Sequence, residues 1–186
     1  MVKIEPRYLL VKIAKILEEL KIPYLVTGGM AILVWGRPRF TADIDIIIRL
    51  KSENVDKLEK ALKALGETGY IDKEAIEEAL LRRGEFNFID GESGIKVDFW
   101  IISEDSFSLS ELKRRIVKKI LGQKIYFISP EDLILNKLKW YKQTESNRHL
   151  EDIESIFKIS GEKLNKNYLK QQAEKLGFLD ILKQYL

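Results

Sequence analysis

Hydrophobic residues recur every three or four positions between Pro6 and Leu20, which is the spacing of an amphipathic helix. Shorter apolar runs bounded by glycine, proline or charged residues predict strands. These strands are expected at Ile22–Thr27, Ile44–Leu50, Phe86–Ile89, Ile95–Ile102 and Ile125–Ile128. Further helices are expected at Gly29–Trp35, Ser52–Leu65, Asp72–Arg83 and Ser110–Leu121. We expect Ser52 to cap the helix that it begins.

The pattern becomes helical throughout after residue 128. Ser129 and Pro130 open a helix that runs to about Lys142, because proline suits the first helical position. Two more helices are expected at about Asn147–Ile159 and Leu164–Leu176. The chain therefore predicts an α+β fold, with a mixed β-sheet flanked by helices over residues 1–128. A helical region over residues 129–186 is expected to pack on this core.

Two aspartates lie one residue apart at the start of the second predicted strand. Residues two apart on a strand share a face, so Asp43 and Asp45 point the same way while the isoleucines between them face a core. Neighbouring carboxylates repel each other, and a divalent cation relieves that repulsion. Carboxylate oxygens suit Mg²⁺, which keeps positions open for phosphate oxygens. The alternative is an exposed strand end on which the aspartates pair with Arg37, Arg39 or Arg49.

A glycine pair, Gly28 and Gly29, separates the first strand from the next helix. Such a turn presents backbone N–H groups and the positive end of a helix to an anion, and glycine lets a phosphate come close. Both glycines are therefore candidate phosphate ligands, or they mark a tight turn. Arg37 and Arg39 could clamp a phosphate or screen the aspartates. Thr41 is a further candidate, or simply a residue at the strand entry.

A third aspartate interrupts the strand at Ile95–Ile102, where polar and apolar side chains alternate. Lys96, Asp98 and Trp100 share one face, and the apolar residues between them share the other. If this strand lies beside the one that carries Asp43 and Asp45, Asp98 can join them around one or two metal ions.

These residues resemble the signature of the nucleotidyltransferase superfamily, which shares the fold of DNA polymerase beta. That signature is a strand, Gly-Gly or Gly-Ser, a short spacer, Asp-x-Asp, and a third carboxylate on a later strand. The matching residues are Gly28, Gly29, Asp43, Asp45 and Asp98. Gly29 departs from the commoner serine, which removes a hydroxyl that could hold a phosphate.

A second stretch, Ser129–Phe157, resembles AbiEii-type nucleotidyltransferases. In these proteins a helical lysine precedes a basic and an acidic residue on a later helix. Lys137 matches the lysine, and Arg148 and Asp152 match the later pair. Lys137 would then contact the triphosphate, although without the resemblance it could equally be a solvated helix residue. The two resemblances together cover about residues 24–157.

The resemblance implies transfer of a nucleotidyl group from a nucleoside triphosphate (NTP) to an acceptor. Mg²⁺ or Mn²⁺ would be held by Asp43, Asp45 and Asp98, and Asp98 could also accept the acceptor's proton. The acceptor would be an RNA, such as a tRNA, or a protein. The chain would then be the toxin of a toxin–antitoxin pair, with an antitoxin as partner. The alternatives are a non-catalytic module that binds nucleotide or RNA, and an unrelated protein with surface aspartates.

The composition of the chain bears on its chemistry, its location and its charged partners. The chain has 186 residues and a net charge of +3. It contains no cysteine, which excludes disulfides and thiolate chemistry. No apolar run is long enough to cross a bilayer, so we expect a cytoplasmic protein. Many Lys, Glu and Ile residues suggest a thermophilic source. Residues 111–186 hold 16 basic and 10 acidic side chains, which could attract a polyanion.

Other polar and aromatic residues carry weaker signals. The predicted helix Ser110–Leu121 is basic and could bind RNA, but a solvated face is the simpler interpretation. Trp140 and Tyr141 could stack on a base, and core packing is the simpler interpretation for both. His149 is the single histidine, and we expect it on an exposed helix face rather than acting as a base.

Overall fold

The computed structural model describes residues 5–66 and 68–186. The strands are β1 (Tyr24–Val26), β2 (Asp43–Ile48), β3 (Glu85–Ile89), β4 (Lys96–Ile101), β5 (Ile116–Ile120) and β6 (Gln123–Phe127). The first helices are α1 (Pro6–Glu19), α2 (Gly28–Trp35), α3 (Val55–Lys63), α4 (Lys73–Arg82) and α5 (Ser106–Arg114). The helices after β6 are α6 (Pro130–Thr144), α7 (Asn147–Ser160), α8 (Lys166–Lys175) and α9 (Leu179–Leu182).

The strands of the described part of the chain form one sheet in the order β3-β4-β2-β1-β6-β5. The central strands β2 and β4 are parallel, β1 is antiparallel to β2, and β1 is parallel to β6. The hairpin β3–β4 turns over residues 90–95. The mixed sheet flanked by helices confirms the predicted α+β class.

The two faces of the central strands differ in polarity. Ile44, Ile46 and Ile48 are fully buried on one face of β2, and Val97 and Phe99 are fully buried on the same face of β4. Burying a side chain of this size contributes about 1.5–3 kcal/mol. The opposite face of both strands carries partly buried polar and aromatic side chains. Because apolar and polar residues alternate along both strands, the apolar side chains face the core and the aspartates lie on the opposite face.

The predicted helix Ser110–Leu121 is wrong, because it spans the end of α5 and all of β5. α5 ends at Arg114, and Arg115 is extended (φ −53°, ψ 145°). Residues 116–120 then pair with β6 through a two-residue turn in which Leu121 (φ 48°) and Gly122 (φ 84°) are both left-handed. The basic side chains of this stretch are therefore divided between a helix end and an edge strand. They do not form one basic helix face.

Two further expectations concern boundaries. Ser52 does not cap a helix with its side chain: it begins a 3-10 turn, Ser52–Asn54, that leads into α3. Ser129 does cap α6, because its Oγ accepts a hydrogen bond from the Asp132 N–H at 3.1 Å. The division into residues 1–128 and 129–186 falls between β6 and α6 and remains a prediction. Within the described ranges, every helix is too short or too polar to cross a membrane.

Candidate active site

Asp43, Asp45 and Asp98 share one face of the central strand pair. In the parallel register of β2 and β4, Asp45 lies opposite Asp98 and Asp43 lies opposite Lys96. Neighbouring strands are about 4.8 Å apart, so side chains at opposed positions of one face can reach a common ligand. The register thus brings together the three acids that the sequence singled out.

Asp45 lies at the centre of this acidic cluster. Burial raises the pKa of Asp45, and the charges of Asp98 and Asp43 raise it further. The Lys137 ammonium and a hydrogen bond from the Gly29 N–H act in the opposite direction but do not cancel the rise. The cluster therefore holds negative charge that a cation would stabilise.

The glycine pair lets the acids approach the start of α2. Gly28 is left-handed (φ 58°), and a Cβ at this position would overlap the Asp45 carboxylate. A Cβ at Gly29 would overlap the hydroxyl of Thr41. Thr41 Oγ1 also donates to the Asp43 carbonyl oxygen at 3.2 Å, which joins the loop to β2. Both glycines are required by this close packing, beside the helix N-terminus where an anion is favoured.

Asp152 links two predicted phosphate ligands. Its carboxylate accepts a bidentate pair from Arg39, at 2.8 Å from Nε and 3.0 Å from the second guanidinium nitrogen. Lys137 Nζ lies 2.8 Å from Asp152 Oδ2. Burial alone would raise the pKa of Asp152, but the hydrogen bonds and charges of Arg39 and Lys137 outweigh it and lower that pKa. Arg39 therefore pairs with Asp152 and does not screen the strand aspartates, and Lys137 is a buried residue rather than a solvated one.

A cavity of about 590 Å³ covers this face of the sheet. The predicted residues that line it are Gly28, Gly29, Arg39, Thr41, Asp43, Asp45, Lys137 and Arg148. Asp98 lies beside Asp45 on the neighbouring strand but does not line the cavity, and Asp152 lies behind Arg39 and Lys137. Arg37 is exposed on its loop outside the cavity, so the structure does not place it with the other candidates.

The far part of the cavity contains residues that sequence reasoning missed. Glu111 on α5 is 5% exposed, and its Oε1 accepts a hydrogen bond from Asn136 Nδ2 on α6 at 3.0 Å. Burial raises the pKa of Glu111 to about 8, and the nearby Asp132 charge adds to this. Only the position of α5 against α6 brings Glu111 into the cavity, and a lone Glu in a basic stretch gave no signal of it.

Two weaker expectations need correction. Trp140 is 42% exposed and packs edge-on against Trp100, with ring centroids 6.1 Å apart, at the cavity wall rather than in the core. Tyr141 is also only partly buried. His149 is partly buried and lines the cavity, and no partner of its buried Nδ1 lies among the described residues. Burial and the Lys137 charge lower the pKa of His149, which favours a neutral imidazole.

The fit of a divalent cation can be judged from these residues. The carboxylates of Asp43, Asp45 and Asp98 lie on one face, and carboxylate oxygens are ligands that suit a divalent cation. Burial and the neighbouring charges destabilise the charged form of Asp45, and a bound cation would offset this. In residues 5–66 and 68–186, however, no group of three or more His, Cys, Asp or Glu side chains is arranged as a metal site. Asp98 instead has its Oδ2 2.8 Å from Lys96 Nζ. The chemistry of the three carboxylates therefore suits Mg²⁺ or Mn²⁺, although the Asp98 carboxylate is engaged by Lys96 in this structure.

Solved structures with the same fold are nucleotidyltransferases. ANT(2″)-Ia in complex with adenylyl-2″-tobramycin superposes with a TM-score of 0.60 at 18% identity, over 91% of this chain and 97% of that one. The lincosamide adenylyltransferase LnuA, bound to lincomycin, gives 0.53 at 17% identity, over 83% and 97%. A putative nucleotidyltransferase from Thermotoga maritima gives 0.55 at 20% identity, over 78% and 90%. At these identities the likeness shows the fold alone.

The family comparison reaches further than the fold. No curated protein sequence matches the chain significantly. The family model described as "Nucleotidyl transferase AbiEii toxin, Type IV TA system" matches residues 13–178, which include the carboxylate strands, the glycine turn and both helices of the Lys137–Asp152 pair. The protein therefore belongs to the AbiEii family of nucleotidyltransferases.

Proposed function

We propose that this protein is a divalent-metal-dependent nucleotidyltransferase that moves a nucleotidyl group from an NTP to an acceptor. The observation that carries the proposal is the register of β2 and β4, which sets Asp98 beside Asp45 on the face that also holds Asp43. Lys137 and the glycine turn lie in the same cavity as Asp43 and Asp45. This combination offers acidic ligands for a cation and positive groups for a triphosphate within one site.

The carboxylates would hold the metal. When bound, one or two Mg²⁺ or Mn²⁺ ions offset phosphate charge and favour deprotonation of the attacking hydroxyl. Asp43 and Asp45 line the cavity and would bind the metal on the side of the triphosphate. Asp98 would complete the metal site from β4. Asp98 is also the candidate to accept the acceptor's proton, since it lies beside Asp45 on the neighbouring strand.

The positive groups would hold the triphosphate. Gly28 and Gly29 form the start of α2, where backbone N–H groups and the helix dipole favour phosphate oxygens. Lys137 places a compact positive charge near Asp45, and Asp152 positions both Lys137 and Arg39 by ion pairs. Arg148 lines the same cavity and is a further candidate contact.

The acceptor is proposed to be an RNA, such as a tRNA, or a protein, and the role to be that of a toxin countered by an antitoxin. The toxin in the family description supports this role. The excess of basic residues in 111–186 favours a polyanionic acceptor. Because ANT(2″)-Ia was solved with adenylyl-2″-tobramycin, a small polyhydroxylated acceptor belongs in the same assays.

A second candidate is a non-catalytic module that binds nucleotide or RNA. The ion pair between Lys96 and Asp98 favours this candidate, because it withholds one carboxylate from a metal. Thermal stabilisation by an NTP with Mg²⁺ is expected for both candidates. Covalent transfer is expected for the enzyme alone.

The two candidates are separated by incubating the protein with each α-³²P-labelled NTP, Mg²⁺, and either total RNA or total protein. We expect label on one acceptor class, and a decrease of at least about 100-fold in Asp45→Asn, because a metal ligand is lost. Asp180→Asn is the matched control, since Asp180 is 96% exposed and far from the site in sequence and fold. NTP-dependent stabilisation without label on any acceptor would favour the binding module.

A further inference from the structure

Lys96 occupies an unusual place for a lysine. It lies at the start of β4, two residues before Asp98 and directly opposite Asp43, so it shares the face of the carboxylate cluster. Its ammonium is 2.8 Å from Asp98 Oδ2. Lys96 thus supplies positive charge to two of the three acids.

The two lysines near the cluster are held differently. The Lys137 side chain is 10% exposed and is fixed by the buried Asp152 carboxylate. The Lys96 side chain is 42% exposed, whereas its partner Asp98 is 14% exposed. The Lys96 ammonium can move into water because its side chain is half-exposed, and a divalent cation bound by the carboxylates would then replace its charge beside the largely buried Asp98. Lys96 can therefore leave Asp98, whereas Lys137 remains in place.

We propose that Lys96 is an internal substitute for the metal: its ammonium neutralises Asp98 in the metal-free protein and withdraws when a divalent cation binds the three carboxylates. The proposal rests on the proposed metal-dependent function and adds a positioning residue to it. Metal binding would then have to displace Lys96, which lowers the affinity for the free ion.

Removal of the ammonium should therefore have two measurable effects. In Lys96→Met, the metal-free protein loses the charge that offsets Asp98 and Asp43, so its melting temperature should fall. The same variant should bind Mn²⁺ at least about fivefold more tightly than the wild type, because no competing cation has to leave. Lys96→Arg retains a cation at this position and should bind Mn²⁺ with an affinity close to that of the wild type.

Lys73→Met is the matched control. Lys73 forms a 2.7 Å ion pair with Asp56 and is 44% exposed, close to the exposure of Lys96, but it lies on α4 away from the cavity. The control makes the same change of charge and side chain. It should leave the Mn²⁺ affinity unchanged.

The experiment is a Mn²⁺ titration of the wild type and the variants, first without nucleotide and then with NTP. Electron paramagnetic resonance measures the free Mn²⁺ at each step. Parallel melting curves are recorded at each Mn²⁺ concentration. Tighter binding by Lys96→Met, with a melting temperature that recovers as Mn²⁺ is added, supports the proposal. Equal or weaker binding by Lys96→Met, while the wild type does bind Mn²⁺, overturns it and leaves the metal-dependent function intact. Absence of Mn²⁺ binding in all variants, with or without NTP, would overturn both.

Discussion

Gly28 illustrates how single residues determine this site. Its left-handed backbone and missing side chain let the Asp45 carboxylate come close to the first turn of α2. A phosphate-binding turn was the prediction for the glycine pair, and the structure adds a second reason for glycine at both positions. The backbone of Gly28 and Gly29, which would contact a phosphate, also packs against the side chains of Asp45 and Thr41.

We expect Gly28→Ala to decrease nucleotidyl transfer by about 100-fold, because displacement of Asp45 by about 1 Å would misalign the reacting groups. Gly161→Ala is the control, since Gly161 has helical backbone angles and open space around its Cα. Label transfer measured on both variants checks this. Transfer by Gly28→Ala within about threefold of the control would show that the close approach has no catalytic role.

The raised pKa of Glu111 predicts how the stability of the protein depends on pH. Its pKa is about 8 in the folded protein and near 4.5 in the unfolded chain, so the folded state binds the proton more tightly. Between these pH values, stability should therefore fall as pH rises, by up to about 1.4 kcal/mol per pH unit.

Glu111→Gln keeps an oxygen that can accept from Asn136 but does not titrate. Its free energy of unfolding should depend less on pH between about 5 and 8 than that of the wild type, as measured by urea denaturation. Glu104→Gln, on an exposed pair with Arg49, serves as the control. If the free energy of unfolding changed equally with pH in Glu111→Gln and the wild type, burial would impose no free-energy cost on ionised Glu111.

At the scale of elements, Asp152 connects the loop before β2 to α6 and α7. Arg39 comes from that loop, Lys137 from α6 and Asp152 from α7, and all three charges are at least partly buried. Removal of one partner from such a group leaves a buried charge without compensation.

Asp152→Ala should therefore reduce the free energy of unfolding by about 3 kcal/mol, measured by urea denaturation. Asp180→Ala removes an exposed aspartate and should change stability by less than about 0.5 kcal/mol. Equal effects of the two substitutions would indicate that the Arg39–Asp152–Lys137 group is not a structural link between these elements.

The strands that carry the acids were predictable, whereas β5 was not. Alternation along β2 and β4 reveals which side chains share a face, because the pattern repeats every two residues. In residues 110–121 the charged residues fit a helical pattern equally well. The turn that separates β5 from β6 places Leu121 in the left-handed region, which is unusual for leucine and gave no turn signal.

At the scale of the whole molecule, the fold class was predictable because the helices and strands follow local patterns, and so was the strand face on which each of the three acids lies. Contacts between distant elements were not predictable in the same way. Glu111 and His149 enter the cavity only because α5 and α7 pack beside α6. The exclusion of Arg37 likewise depends on the path of the loop. Lys96 and Asp98 were expected on one face of their strand, but the ion pair between them was not predicted.

We propose that Asp98 acts with Asp43 and Asp45 although it pairs with Lys96 in this structure. The most direct measurement is the rate of Mg²⁺-dependent label transfer from an α-³²P-NTP by Asp98→Asn, compared with the wild type and with Asp180→Asn. We predict a decrease of at least about 100-fold for Asp98→Asn and none for Asp180→Asn. A wild-type rate in Asp98→Asn would contradict a site built from three carboxylates.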